Sequence, residues 1–311
     1  MTTRWFNHAP VLAAETVAIL REVPAGVVLD ATIGGAGHAV ALLDVAPQLS
    51  LIGIDQDEAA RRAAAERLAA FGDRARVVAG RFDALDSILD ECGVSKLSGF
   101  LFDLGVSSPQ LDVAERGFSF RLDGPLDMRM DPSAVLTAEA VVNTWTVDRL
   151  ASAIRIGGDE RFAGRIAKAI VAARPITRTE ELAAIVVQAI PAATRRTGGH
   201  PAKRTFQAIR IAVNSELEIL EPSLRAALAR LSTAGRGVVL TYHSGEDRIV
   251  KGVFREVTTS KTPVHLPVPE VPAPYRLIRP ITRTPGAAEL ESNPRSRSAR
   301  LRAIERVGVA A

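Results

Sequence analysis

Four short apolar runs mark the first hundred residues, and three of them carry a carboxylate at or near their carboxyl end. Val27-Val-Leu-Asp30, Leu49-Ser-Leu-Ile-Gly-Ile-Asp55, Arg76-Val-Val-Ala79 and Gly99-Phe-Leu-Phe-Asp-Leu104 have the length of buried strands. Segments from about His38 to Asp44, Glu58 to Phe71 and Ala84 to Cys92 place apolar residues at helical spacing between them. Strands separated by helices of this length predict a parallel, doubly wound sheet. The rhythm then breaks. From about Leu111 to Arg210 the pattern is helical: Thr137–Asn143, Val147–Ile154, Glu160–Ala173, Thr179–Ile190 and Lys203–Leu220. Thr146-Val-Asp and Thr179-Glu-Glu have the capping residue and first-turn acids of helix starts. A strand returns at Gly237-Val-Val-Leu-Thr-Tyr242, and a helix follows at Glu246–Phe254. Seven prolines within 263–285 predict an irregular connection, and Ala299–Val307 alternates like a final strand. The pattern predicts an α/β fold in three stretches: 1–112, a helical insertion at 113–216, and 217–311.

Composition narrows the class. The 311 residues are 47% hydrophobic and 24% charged, which excludes a disordered chain. No apolar run reaches the roughly 18 residues that a membrane span needs. The first eight residues lack the apolar core of a signal peptide, and Cys92 is the single cysteine, so no intrachain disulfide or multi-cysteine zinc site can form. A cytoplasmic protein without a membrane partner is expected. The five histidines (8, 38, 200, 243 and 265) show no metal-ligand spacing, and no metal is expected. The net charge of +4 is small, but its distribution is uneven. Residues 195–210 hold five basic side chains and no acid, and residues 283–306 hold six Arg against three Glu. Arg suits phosphate.

Candidate chemistry sits at the carboxyl ends of the strands, where open α/β sheets bind ligands. Asp30-Ala-Thr-Ile-Gly-Gly-Ala-Gly-His38 is a glycine loop, with Gly34, Gly35 and Gly37 allowing a tight turn close to a ligand. Asp55 is placed to accept hydrogen bonds from ribose hydroxyls. The loop lacks the third glycine of a nicotinamide fingerprint, and the acid before it better matches an S-adenosylmethionine site. Phe82 can lie against an adenine ring or pack in the core. Asp103-Leu-Gly-Val-Ser-Ser-Pro-Gln110 puts a carboxylate, the Ser107 and Ser108 hydroxyls and an amide where the reacting group of a cofactor would point. Such acceptors suit methylation of an exocyclic amine, because hydrogen bonds from its N–H groups localise a lone pair otherwise delocalised into the ring. Cys92 falls in a predicted helix away from these ends, so no covalent enzyme intermediate is expected.

Taken in order, these segments resemble the bacterial 16S ribosomal RNA cytosine-N4 methyltransferase family. The resemblance is carried by His8-Ala-Pro-Val-Leu12, Asp30–His38, Gly53-Ile-Asp-Gln-Asp57, Asp103–Asp112, Glu115-Arg-Gly-Phe-Ser-Phe120 and Gly124–Asp131. It continues through Pro201–Ile211, His243-Ser-Gly-Glu-Asp-Arg-Ile-Val-Lys251 and Asn293–Arg302. It implies a class I (Rossmann-like) S-adenosylmethionine-dependent methyltransferase sheet with an inserted all-helical domain. It also implies methyl transfer to N4 of a cytidine in the decoding region of small-subunit rRNA. The family's cofactor contacts map onto Ala36, Gly37, His38, Asp55, Phe82, Asp103 and Gln110. The family usually has Gly at position 36 and Leu at position 245, where this chain has Ala36 and Gly245, and Gly157-Gly-Asp-Glu160 departs from its Gly-Glu-Glu.

On the substrate side, a base must leave its stack to be methylated. Phe118 and Phe120 are candidates to receive it, with a hydrophobic plug as the alternative. Arg195, Arg196, Lys203 and Arg204 are candidates for phosphate contact, as is the Arg295–Arg302 segment. His243 and Glu246 either line the site or brace the sheet. The expected partner is 16S rRNA or the small ribosomal subunit, and no protein partner is expected other than, at most, a second copy of the chain. Two other classes stay open: a methyltransferase acting on small molecules or other nucleic acids, and a non-catalytic ribosome assembly factor.

Overall fold

A computed structural model describes residues 10–192, 200–262, 271–280 and 282–308. In chain order the elements are α1 (Ala13–Leu20), β1 (Gly26–Asp30), α2 (Gly37–Val45), β2 (Leu49–Asp55), α3 (Glu58–Leu68), β3 (Ala75–Ala79), α4 (Leu85–Glu91) and β4 (Leu97–Asp103). The helices α5 (Ser108–Asp112), α6 (Ala138–Thr144), α7 (Val147–Gly158), α8 (Ala163–Ala172), α9 (Thr179–Ala189) and α10 (Lys203–Asn214) follow. The chain then forms α11 (Glu216–Arg230), β5 (Leu231–Thr241), α12 (Ser244–Val257), β6 (Tyr275–Leu277), α13 (Ala287–Ser292) and β7 (Arg300–Arg306). Two compact units divide it: Met1–Gly105 with Ile219–Ala311, and Val106–Glu218.

The first unit is built on a seven-stranded sheet of order β3-β2-β1-β4-β5-β7-β6. The strands from β3 to β5 are parallel, and β7 runs antiparallel to both its neighbours. Alternate residues of one strand serve opposite faces. Val28, Leu101 and Val238 join a core with Leu20, Leu42, Leu43 and Leu68 of α1, α2 and α3. Leu29, Phe100 and Val239 join another with Leu85, Leu224 and Phe254 of α4, α11 and α12. Both faces are covered, which is why these strands read as continuous apolar runs. Each fully buried Leu or Phe contributes about 1.5–3 kcal/mol.

The second unit is helical. Val141, Leu150, Ile154, Ile166, Ile170, Leu182, Val186 and Ile209 of α6–α10 share one core. The buried Asn214 ties the preceding loop to it, since its amide donates to Met128 O (2.8 Å) and accepts from Met130 N (2.8 Å). Asp159, at φ 49°, ends α7.

Three sequence expectations need correction. The stretch Lys203–Leu220 is two helices, because Ser215 at φ 54° breaks it after Asn214. The proline-rich connection contains a strand, β6, held by antiparallel pairing to β7. The strand expected at Gly237 starts at Leu231.

Candidate active site

The loop between β1 and α2 is shaped by left-handed residues. Gly34 lies at φ 49° and Ala36 at φ 58°. Gly34 N–H donates to Asp55 Oδ2 and Asp57 N–H to Asp55 Oδ1, each at 2.9 Å. This fastens the loop to the end of β2. An ionised carboxylate offers about four acceptor positions, so Asp55 keeps capacity for ribose hydroxyls. Burial pushes the Asp55 carboxyl up to about 6, against the two backbone donors. Gly35 O accepts from Arg67 Nη1 (2.5 Å), and Gly37 opens α2 directly against Pro10, whose ring a Cβ there would meet at 3.2 Å. Phe82 is half-buried, with its ring edge-on to Phe102 at 5.5 Å.

Asp103 closes β4. Its N–H donates to Thr32 Oγ1 (2.7 Å), and its Oδ1 accepts from the Tyr242 hydroxyl (2.7 Å). Its Oδ2 lies 3.5 Å from His38 Nε2. The carboxylate side chain stays 27% exposed, whereas His38 is 6% exposed. Asp30 is buried beside them. Its carboxyl is pushed up to about 7, first by burial and further by Asp103 and Asp55, while His38 and the Thr32 N–H pull it down. Three mutually repelling carboxylates at adjacent strand ends suit a ligand with positive charge. With the acceptor capacity of Asp55 and the half-buried Phe82 ring, the donor set fits a sulfonium nucleoside.

Tyr242 was not singled out by its sequence. The only signal was its place at the end of a predicted strand. Gly105, at φ 97°, leaves room for its ring, which a Cβ there would meet at 3.4 Å.

The second unit holds the remaining candidates. Ser107 and Ser108 are partly exposed at the start of α5. Gln110 is 5% exposed, and its Oε1 accepts from Ser107 N–H (3.0 Å), so this oxygen serves the helix start. Phe118 is 5% exposed within the helical core, with Arg116 over its ring. Of the two expectations for Phe118, this burial favours the hydrophobic plug over a base-receiving surface. Phe120 is partly exposed and stacks on His200 at 4.5 Å and 20°, a pairing the sequence did not suggest. Lys203 and Arg204 are exposed on the first turn of α10. Arg195 and Arg196 lie outside the described residues.

The late basic and acidic motifs brace the first unit. Glu246 Oε2 accepts from Tyr242 N (2.7 Å) and His243 N (3.2 Å), and His243 Nδ1 accepts from Gly245 N (3.2 Å). Together they cap α12. Asp247 binds Arg302 Nε (2.7 Å) and Arg300 Nη1 (3.0 Å). Arg302 is therefore part of the buried framework and not a phosphate ligand. Among the described residues, no three His, Cys, Asp or Glu side chains gather as metal ligands, and no helix is long and apolar enough to cross a membrane.

The sheet order, with its single reversed strand and its carboxylates at the ends of β1, β2 and β4, defines a class I methyltransferase. The pattern of the MraW methylase family matches residues 5–307, and the chain belongs to that family. It is 53% identical over 312 residues to ribosomal RNA small subunit methyltransferase H of Mycobacterium sp. (strain KMS), covering 97% of this chain and 84% of that one. It is 51% identical over 308 residues to the protein of the same name from Thermobifida fusca (strain YX), covering 96% and 93%. A crystal structure of an rRNA methylase from Streptococcus thermophilus aligns over 94% of this chain and 95% of its own, with TM-score 0.44 and 11% identity.

Proposed function

We propose that this protein transfers a methyl group from S-adenosylmethionine to N4 of a cytidine in the decoding region of 16S rRNA, in the cytoplasm. The observation that carries the reading is Asp103, a partly exposed carboxylate at the end of β4 with one oxygen held by Tyr242 and the other beside His38. S-adenosylmethionine supplies an electrophilic methyl group on a positively charged sulfur. Asp55 would hold the ribose, the Gly34–His38 loop the amino-acid part, and Phe82 the adenine, with Gln110 as a further contact. Asp103, helped by Ser107 or Ser108, would accept hydrogen bonds from the cytidine amine and localise its lone pair for in-line attack. Positioning and electrostatics supply most of the rate enhancement. The helical unit would meet the RNA through Lys203 and Arg204, exposed on α10, and through the Phe120–His200 stack. Arg195 and Arg196 belong to the same basic segment.

The test is incubation with labelled S-adenosylmethionine and either 30S subunits or bare 16S RNA from a strain lacking the enzyme. The expected product is N4-methylcytidine at one decoding-region position. Label on another atom, efficient salt-independent labelling of free cytidine, or no label on either RNA overturns the reading.

A further inference from the structure

Methylation of an amine leaves a proton to be placed. One N–H bond of the methylated amine must break, and Asp103 is the acceptor at the end of β4. Asp103 is not isolated. A cavity of about 10 Å3 lies nearby in the first unit, lined by Thr16, Asp30 and His38 among aliphatic side chains. These three residues are 2%, 3% and 6% exposed. Thr16 Oγ1 and both ring nitrogens of His38 are buried without a hydrogen-bond partner. A buried polar atom left unpaired is costly to the fold. His38 Nε2 faces Asp103 Oδ2 at 3.5 Å, which leaves Thr16 Oγ1 and His38 Nδ1 as the two polar atoms of the cavity-lining residues with nothing to bond to. About 10–15 Å3 is the least room that holds one water molecule, and such a water needs two to four polar partners. The cavity lies at the lower end of that range, and Thr16, Asp30 and His38 are the polar residues that line it.

We propose that His38, Asp30 and one water molecule bound in this cavity form a buried relay that stores the methylation proton passed on by Asp103. The inference deepens the proposed function and rests on it. The N4–H bond breaks and an O–H bond forms on Asp103. That proton moves from Asp103 Oδ2 to His38 Nε2, across the 3.5 Å that separates them. His38 releases a proton from Nδ1 to the water, held by Thr16 Oγ1, and the water passes one to the Asp30 carboxylate. The cluster returns to its starting charge when product leaves. Asp30 then gives the proton back along the same path, and the partly exposed Asp103 hands it to bulk water. Asp30 and Thr16 act through His38 and Asp103 and are positioning residues.

The electrostatics support this. Burial, then Asp103 and Asp55, raise the Asp30 carboxyl to about 7, where it can both take and release a proton near neutral pH; His38 and the Thr32 N–H oppose the rise. Among the described residues, the groups facing Asp103 are the Tyr242 hydroxyl, His38 and the Asp30 carboxyl, and Tyr242 in turn faces Glu246 and Glu289.

Two measurements test the relay. The first uses the free protein and needs no turnover: nitrogen-15 NMR of the His38 ring across pH. The ring signals of the wild type should follow a transition centred near pH 7, reporting Asp30, that is lost in Asp30→Asn. The second is single-turnover methylation of 30S subunits across pH, with S-adenosylmethionine affinity measured alongside. The wild-type rate should rise through the same transition. Asp30→Asn should lose that limb and run roughly tenfold slower above it at saturating cofactor. Thr16→Val keeps the side-chain shape and removes the hydroxyl that holds the water; it should slow transfer several-fold, and it serves if Asp30→Asn does not fold. A pH-independent His38 signal, or variants with wild-type rates and profiles, overturns the relay. If the wild type itself labels no cytidine, the proposed function fails, and the NMR transition still judges the cluster separately.

Discussion

The Tyr242 hydroxyl donates a 2.7 Å hydrogen bond to Oδ1 of Asp103, across 139 residues of sequence. Burial, and then the Asp103 carboxylate itself, push the Tyr242 phenol well above its usual range, so it remains a donor at any working pH. The bond fixes the carboxylate's rotation and directs its second oxygen. A hydrogen bond to a charged group is worth about 1.5–3 kcal/mol, and each 1.36 kcal/mol is tenfold in rate. Tyr242→Phe should therefore lower kcat by at least about tenfold while leaving KM for RNA and cofactor affinity nearly unchanged. Steady-state kinetics with a parallel binding titration checks this.

Ala36 occupies a left-handed position, φ 58° and ψ 25°, at the start of α2, and is fully buried. The torsion costs an L-residue about 1–2 kcal/mol, and the buried methyl returns about 0.8 kcal/mol. The two nearly cancel. Ala36→Gly should leave stability within about 1 kcal/mol of the parent, whereas Ala36→Val, β-branched and overpacked, should lose about 2–4 kcal/mol. Denaturant midpoints at constant slope decide.

The buried carboxyls make stability depend on pH. Asp30 is raised from 3.8 to about 7 and Asp55 to about 6, in both cases first by burial. A carboxyl raised in the folded state adds stability that is complete below pH 3.8 and is lost as pH climbs through the folded value. The contribution of Asp30 should thus fall between about pH 4 and 7, by up to roughly 4 kcal/mol at 1.36 kcal/mol per unit. Denaturation of wild type and Asp30→Asn at pH 5 and pH 8 should show the wild type losing ground to the variant at the higher pH. Equal differences at both values would refute the assignment.

Much of the first unit was legible in its sequence for a definite reason. Strands β1, β2 and β4 are buried on both faces and read as unbroken apolar runs, and the strand-end rule then marks Asp30, Asp55 and Asp103. What escaped depends on long-range pairing. Strand β6 is only three residues long, lies next to prolines, and exists because β7 pairs with it. The apolar period runs through Ser215, so the break between α10 and α11 left no mark on the pattern. Charge density at 295–302 suggested phosphate contact, since density does not reveal that Asp247 is the partner of Arg300 and Arg302. Aromatic identity left a base pocket and a hydrophobic plug both open at Phe118, and the helical core holds that ring.

Two basic residues should behave differently for this reason. Arg302 is buried against Asp247. Removing one partner of a buried pair leaves the other uncompensated, so Asp247→Ala should cost about 3–5 kcal/mol of stability. Lys203 is exposed on α10, and Lys203→Ala should leave stability unchanged, weaken RNA binding and reduce the salt slope of affinity by about one unit. Thermal denaturation and RNA titrations at several salt concentrations separate the two.

Asp103 is proposed to act on the amine undergoing methylation. The most direct measurement is single-turnover methyl transfer by Asp103→Asn, with S-adenosylmethionine affinity determined on the same preparation. The rate should fall by roughly a hundredfold or more, with affinity changed by about tenfold at most. Methylation and cofactor binding that both match the wild type would rule out this role for Asp103.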